Sequence, residues 1–454
     1  MNLLHLSRQC FRANGNFLRL TTYLTTAWLA PLASVQASGI LADGVSARAQ
    51  ALGGAGVTGT GGSLEALADN PAALGLSARP RLELGGNLGW VHGEFHNRAN
   101  DHAELHDFGA VPAGALSARW GPLAIGLGVV PDVALRADWR YRDTPGGLDG
   151  ATTYGERSHL SEITLIRFAL GASYAITPQL AIGAGVGLLY NRNRLQSPYI
   201  IQTQPQLAGA KTLLDLETDG WGWNGQFGLL WQPLTNLRLA VNYTLPSRIR
   251  SKGHATSDAG RQLANLGLTG VDATADFDAE VTNHFPQMVS AGVAWRCIPR
   301  LELVAQVDWI DWSSAFDTLE VRLRDVNNPL YRALLAGGRD LNDDIPLDWR
   351  DQWVVRLGAE YQLTEDFAAR LGYRYARSAV PTATLTPLTA AIPEHVLTAG
   401  LGYRHGPFTC DLAYQYHLPQ RERVGTSRLL TGEYSDSEVE VSMHWVGLTV
   451  GVEF

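Results

Sequence analysis

From residue 81 to the C-terminus, apolar residues recur at every second position, and the breaks in that pattern alternate between tight turns and long polar connections. In the last run Val446, Leu448, Val450, Val452 and Phe454 alternate with Gly447, Thr449, Gly451 and Glu453, so one face of a strand is apolar and the other small or polar. Similar runs are Leu82 to Trp90, Leu123 to Val129, Leu180 to Tyr190 and Leu301 to Trp309. A soluble sandwich alternates as well, so the breaks decide. Tight turns stand at Gly121-Pro122, Thr177-Pro178, Pro233 to Asn236, Ile298-Pro299, Thr364 to Asp366 and Gly406-Pro407. Between them lie polar connections near 96–108, 131–157, 196–220, 251–276, 314–346, 380–392 and 418–437. A barrel crossing a bilayer keeps short turns at one end and long loops at the other, whereas a sandwich has no reason to do so.

The runs number fourteen: 81–95, 109–120, 122–139, 158–176, 179–195, 221–232, 235–250, 277–296, 299–313, 347–363, 365–379, 393–405, 407–418 and 437–454. An even count lets an antiparallel sheet close with both ends on the periplasmic side, and the expectation is an all-β, 14-stranded transmembrane β-barrel over residues 81–454. A helical membrane bundle is excluded. The mean hydropathy is −0.07, and outside the N-terminus runs such as Leu180 to Tyr190 reach about ten residues, short of the roughly 18 a spanning helix needs. In the run Trp221, Trp223, Gly225, Phe227, Leu229, Trp231 the aromatics alternate with polar positions such as Asn224 and Gln226. Trp223 and Trp231 would stand roughly 20 Å apart along a tilted strand, the height of an outer-membrane apolar band.

Residues 1–37 differ from the rest: Arg8, Arg12 and Arg19 with no acid, an apolar stretch from Leu20 to Leu32, then Val35-Gln36-Ala37. This reads as a secretory signal peptide cleaved after Ala37. Its removal leaves 33 basic against 44 acidic residues, a net charge of −11, which argues against nucleic acid as a partner. Only Cys297 and Cys410 then remain, too few for a disulfide-stapled scaffold.

Residues 38–80 do not alternate. Gly53, Gly54, Gly56, Gly59, Gly61 and Gly62 are followed by Ser63 to Ala68, a short helix with Ser63 as its N-cap, and Pro71 in Asp69-Asn70-Pro71-Ala72 ends it. A segment this long before the first strand must sit in the periplasm or inside the barrel, and a fourteen-strand lumen needs a plug if leakage is to be prevented. Gly54-Ala55-Gly56-Val57-Thr58-Gly59 matches GxGxxG, but no strand precedes it and no acid stands about twenty residues on, so its glycines read as tight packing rather than a dinucleotide site. His92, His96, His102 and His106 fall in one loop region with Asp101 and Asp107, a density that can bind a transition metal; solvated loop residues are the plainer reading, and no metal or cofactor is expected. No GxSxG occurs and no nucleophile–base–acid cluster stands out, so no enzyme is expected.

The mature N-terminal segment with Ala47-Arg48-Ala49, Gly53-Gly54-Ala55-Gly56 and Asn70-Pro71-Ala72, then Gly220 to Asn224, Trp309 to Ser313, Ser378 to Pro381 and the terminal Phe454, resembles the FadL family of outer-membrane long-chain fatty-acid transporters, which also contains importers of monoaromatic hydrocarbons. The resemblance implies a hatch at 38–80 carrying Gly53, Gly54, Gly56, Asn70, Pro71 and Ala72, an external apolar groove, an internal ligand pocket, and lateral exit at a kinked third strand. There Gly128 precedes Pro131, which cannot donate to a ladder and favours a bulge; the alternative is that Pro131 starts the external loop. With only two Lys in the chain, Arg192 and Arg194 at the outer end of the fifth strand are the candidate partners of a fatty-acid carboxylate, and contact with lipopolysaccharide is an equal reading. Phe454 resembles the signal read by the outer-membrane barrel assembly machinery. The expected protein is a monomer in the outer membrane of a Gram-negative bacterium that takes up long-chain fatty acids or similar hydrophobic molecules passively. The alternatives are an importer of aromatic hydrocarbons, a general diffusion porin, and a structural or adhesive barrel.

Overall fold

The computed structural model describes residues 40–60 and 62–454; the expected signal peptide, residues 1–37, lies outside them. Among the described residues the alternating runs form eighteen strands: β1 (Arg81–Asn97), β2 (Asn100–Trp120), β3 (Leu123–Arg142), β4 (Glu156–Thr177), β5 (Leu180–Ile200), β6 (Lys211–Leu234), β7 (Leu237–Thr244), β8 (Ser247–Asp258), β9 (Thr274–Phe285), β10 (Met288–Ile298), β11 (Leu301–Ile310), β12 (Thr318–Arg324), β13 (Leu341–Pro346), β14 (Gln352–Gln362), β15 (Phe367–Ala376), β16 (His395–His405), β17 (Phe408–Arg423) and β18 (Glu438–Glu453). Fourteen make the wall. β1 to β7 follow in order, β7 pairs with β10, β11 with β14, and β18 returns to β1, so the antiparallel sheet closes. The other four continue the wall outward: β8 takes the outer half of β6, and β9, β12 and β13 add to it in turn. Proline separates the inner and outer parts, Pro246 between β7 and β8 and Pro286 between β9 and β10. The outward ribbon encloses its own apolar core around Leu216, Phe277, Val321 and Tyr331.

The period-two pattern sends large apolar residues outward into lipid rather than into a core. Trp120, Leu127, Trp223, Phe227 and Leu371 are all more than half exposed on the wall's outer face. Aromatics flank the band, with Trp90 against Phe108 and Tyr190 against Trp221 at its outer margin. The inward positions hold small and polar residues, which leave room for the N-terminal segment.

Three expectations need correction. The connection near 96–108 is not a loop: β1 and β2 run on as a paired hairpin to Asn97 and Asn100, because these strands project beyond the apolar band. Likewise β3 runs unbroken through Pro131 to Arg142, so Pro131 lies within a strand and not at the start of a loop. The N-terminal segment carries a helix α1 (Ala47–Ala51), a helix α2 (Ser63–Asp69) and a 3-10 turn (Pro71–Leu76). Ser63 is the first residue of α2, not its N-cap; Gly62 holds that place, and the Glu83 carboxylate of β1 accepts from the Leu64 N–H at 2.8 Å. The cap is tertiary, which is why the local sequence misplaces it.

Candidate functional site

The N-terminal segment lies within the barrel, seated on wall positions that have no side chain. Gly126 and Gly171 receive Leu67 and Leu74, Gly183 receives Pro71 and Ala72, Gly228 receives Asn70, and Gly372 and Gly400 receive α1 and the residues after it. A Cβ at any of these would overlap the segment, so the inward glycines are a mould for it. Gly53 and Gly54 themselves turn with φ of 71° and 82°, and a Cβ on Gly56 would strike the Asp69 carboxylate. Asn70 is fully buried. Its amide donates to the Val57 carbonyl at 2.9 Å and the Leu229 carbonyl at 3.3 Å, and its oxygen accepts from Ala72 N at 3.0 Å, while Ser173 of β4 donates to the Ala72 carbonyl at 2.9 Å. Asn70, Pro71 and Ala72 thus form one dock on β4, β5 and β6.

The third strand is where the wall is incomplete. The β2–β3 ladder runs from Trp120 opposite Leu123 to Gly114 opposite Val129, and among the described residues the two strands share no further ladder pairs. The β3–β4 ladder continues, with a bulge at Asp132 between Pro131 and Val133. The extra residue exchanges the faces: Ala124 and Val130 are buried below it, Ala137, Trp139 and Tyr141 above it. Farther out β2 and β3 meet again only through side chains, Arg136 with Asp107 at 3.1 Å and Asn100 with the backbone of Arg142.

The N-terminal segment reaches this break. Leu41 bridges Val133, and Ala42 N donates to the Asp132 carbonyl at 3.1 Å. Arg167 of β4 holds the Asp132 carboxylate by both oxygens, at 3.1 and 3.0 Å, and also donates to the last carbonyls of α2, Leu67 and Ala68. One guanidinium therefore joins the bulge to the helix end, where a cation is favoured. Opposite, Arg356 of β14 binds Asp308 at 2.7 Å and Asp43 at 3.1 Å.

Between these groups is a cavity of about 110 Å³, lined by Leu41, Val45, Asp69, Pro131, Asp132, Leu165, Arg167, Phe285, Met288, Ile310 and Arg356 among others. An apolar cavity of roughly 150 Å³ holds benzene, so a cavity of this size has no room for an acyl chain. On the periplasmic side a larger polar cavity of about 510 Å³ is lined by Arg48, Glu65, Arg81, Glu83, Glu302, Glu360 and Arg370. Arg48 of α1 lies 3.0 Å from Glu360 and 3.6 Å from both Glu65 and Glu302. Burial pushes the carboxyl of Glu65 up to about 7 against the attraction of Arg48, and that of Asp69 up to about 8, with Glu65 adding to the shift and Arg356 opposing it.

Of the residues singled out from sequence, the structure brings Asn70, Pro71 and Ala72 onto one dock and Gly128 and Pro131 to the break, while Gly53 packs against Tyr373 and Leu357 of β15 and β14, Gly54 against Arg356 and Gly56 against Asp69. Gly128 faces Leu67 one position before the β2–β3 ladder ends. Arg192 and Arg194 are elsewhere, on the outward face of β5 and paired with Glu217. Phe454 is exposed at the inner end, its N–H donating to the Pro80 carbonyl. The residues that sequence reasoning missed are Arg167, Asp132 and Arg356, each an ordinary charge in an alternating run; a charge at an inward position of a transmembrane strand was the available signal.

Residues 27–454 match the family described as outer membrane protein transport protein (OMPP1/FadL/TodX). The long-chain fatty acid transport protein of Escherichia coli K12 is 27% identical over 263 residues, 53% of this chain and 55% of that protein; that of Salmonella typhi is 21% identical over 257 residues, 53% and 54%. The chain thus spans about half the length of these curated relatives. A crystal structure of a Pseudomonas aeruginosa FadL homologue superposes with a TM-score of 0.70 at 18% identity, covering 92% of this chain and 100% of that one. That of the Pseudomonas putida toluene transporter TodX gives 0.72 at 21% identity, covering 90% and 98%. At these identities the likeness establishes the fold.

Proposed function

The chain belongs to the OMPP1/FadL/TodX family of outer-membrane transport proteins, and on that premise we propose that it is a passive channel, not an enzyme, for hydrophobic molecules such as long-chain fatty acids. Residues 38–80 act as the hatch, and the exit is sideways through the β2–β3 break. The observation that carries this reading is the Asp132 bulge, which lines the cavity, lies three residues beyond the last β2–β3 pair and is tied to the hatch through Ala42 and Arg167. A ligand that displaces residues 41–45 thereby loosens the wall at the same place. Backbone groups left unpaired in hydrocarbon are costly, so the break is tolerated where it faces protein or a pathway. Lateral release spares an apolar molecule the aqueous periplasm, at about 0.8 kcal/mol for each CH₂ kept out of water. Leu266, Leu268 and Val271, exposed on the connection between β8 and β9, offer such a molecule an apolar landing surface outside.

One observation favours the uncharged aromatic ligands over fatty acids. The cavity arginines are already matched, Arg167 to Asp132 and Arg356 to Asp308 and Asp43, so a ligand carboxylate would have to displace an existing ion pair. Arg192 and Arg194, facing outward beside Glu217, suit lipopolysaccharide contact better than ligand binding. Phe454 remains our candidate assembly signal.

The test is a reversible lock. Leu41 and Val133 are antiparallel bridge partners, whose Cα separation of roughly 4.5–5.5 Å suits a disulfide. In a background lacking Cys297 and Cys410, oxidised Leu41→Cys/Val133→Cys protein should stop uptake of radiolabelled oleate and toluene, and reductant should restore it. Undiminished uptake with complete cross-linking would exclude hatch movement at the bulge.

A further inference from the structure

The outer end of the β1–β2 hairpin carries a symmetric pattern that transport of an apolar molecule does not use. β1 reads His92-Gly93-Glu94-Phe95-His96 and β2 reads His102-Ala103-Glu104-Leu105-His106, two copies of His-x-Glu-x-His running in opposite directions. The register sets His92 opposite His106 and Glu94 opposite Glu104, and the rings of His96 and His102 stand 5.3 Å apart. Phe95, Ala103 and Leu105 point inward and are buried, so all six polar side chains share the outward face. They stand just beyond the Trp90–Phe108 pair of the aromatic belt, on the aqueous side of the apolar band.

We infer that this end of the hairpin is a binding site for one divalent transition-metal ion, held by Glu94, His96 and His102. One ligand atom from each lies within 4.8 Å of the other two, a spacing that small side-chain rotations close to the roughly 2.0–2.2 Å bonds of a zinc site. His96 is already oriented. Its Nδ1 faces the Asp101 carbonyl, which can only accept, so Nδ1 carries the proton and Nε2 keeps its lone pair for a metal, 3.9 Å from a Glu94 oxygen. A backbone carbonyl fixing the tautomer of a ligating imidazole is the usual outer-sphere arrangement. Glu104, whose carboxylate accepts from His102 Nε2 at 2.7 Å, is an outer-sphere partner, and water supplies the fourth ligand. Two imidazoles with a carboxylate select Zn²⁺, Cu²⁺ or Ni²⁺ over Mg²⁺ and Ca²⁺. The ion would join β1 to the stretch of β2 that has no β3 partner, and so pin one margin of the break in the wall.

The experiment uses the full protein in detergent, purified without a polyhistidine tag and stripped with chelator, then titrated with Zn²⁺ calorimetrically and with Cu²⁺ by electron paramagnetic resonance. One ion per chain is expected, with nitrogen hyperfine structure from two imidazoles. His96→Ala/His102→Ala should lose the ion and His92→Ala/His106→Ala should keep it. All four histidines are on the outer face, and heat-modifiable migration on gels confirms that each variant is folded. No uptake by the parent, or equal binding or equal loss in the two variants, would overturn the assignment.

Discussion

The two edges of β2 differ although they belong to one strand. Along β1 the ladder holds from Ser117 out to Asn100; along β3 it stops at Gly114. A proline stands close to that stop on each side, Pro112 in β2 and Pro131 in β3, so each strand lacks a donor near it. Pro112 alone does not break a ladder, since it keeps its place opposite Gly86 of β1. What distinguishes the open edge is the Asp132 bulge next to Pro131, which turns β3 and hands its backbone to the N-terminal segment instead of to β2. A barrel wall can thus be opened at one seam without exposing a general edge, provided that another segment takes the unpaired groups.

Removing that segment is the strongest way to break the contrast. Deleting residues 38–79 behind the signal peptide should raise single-channel conductance in planar bilayers by roughly tenfold or more, because a fourteen-strand lumen loses its filling. A folded deletion protein as tight as the parent would make the segment irrelevant to closure.

A smaller effect comes from pH. Asp69 and Glu65 have carboxyl values raised from 3.8 and 4.5 to about 8 and about 7 when the segment is docked. The docked state then binds more protons than the released one, so docking weakens as pH rises from about 4 to about 8 and changes little above. The slope is at most roughly 1.4 kcal/mol per pH unit for each group. Hydrogen exchange, corrected for its intrinsic pH dependence, should show residues 63–69 and 130–135 losing protection between pH 5 and pH 8 while the β1–β2 ladder keeps its own. Asp69→Asn should flatten much of that change, and an unaltered profile in this variant would remove Asp69 from the latch.

The mildest intervention is Pro131→Val, which restores a donor and a β-branched side chain but leaves Pro112 and the bulge in place. Toluene uptake should slow several-fold with folding intact. Uptake at the parent rate would show that the bulge, not the proline, keeps the seam open.

Much of the wall is legible in the sequence, because alternation in a transmembrane barrel is imposed on every strand by lipid outside and protein or water inside. The short turns Gly121-Pro122 and Gly406-Pro407 and the terminal run to Phe454 could be read directly. Loop boundaries were not, since strands that continue past the bilayer, as at His96 and His102, lose the apolar mark and look like polar loop. The site was half legible. Asn70-Pro71-Ala72 and Pro131 carry local conformational signals, whereas Arg167 and Asp132 acquire their meaning only from each other.

The amino-acid sequence by itself determined the number of wall strands and their sidedness, since each rests on a period or a turn within a few residues; it left Pro131 open between a bend within β3 and the start of a loop. Only the tertiary structure decided that the N-terminal segment fills the lumen, which wall glycines seat it, that Glu83 caps its helix, and that Arg167 ties it to Asp132. Those contacts join positions up to hundreds of residues apart, and their stability comes from burying matched charges and shapes together, a property of the assembled barrel that no single stretch of chain contains.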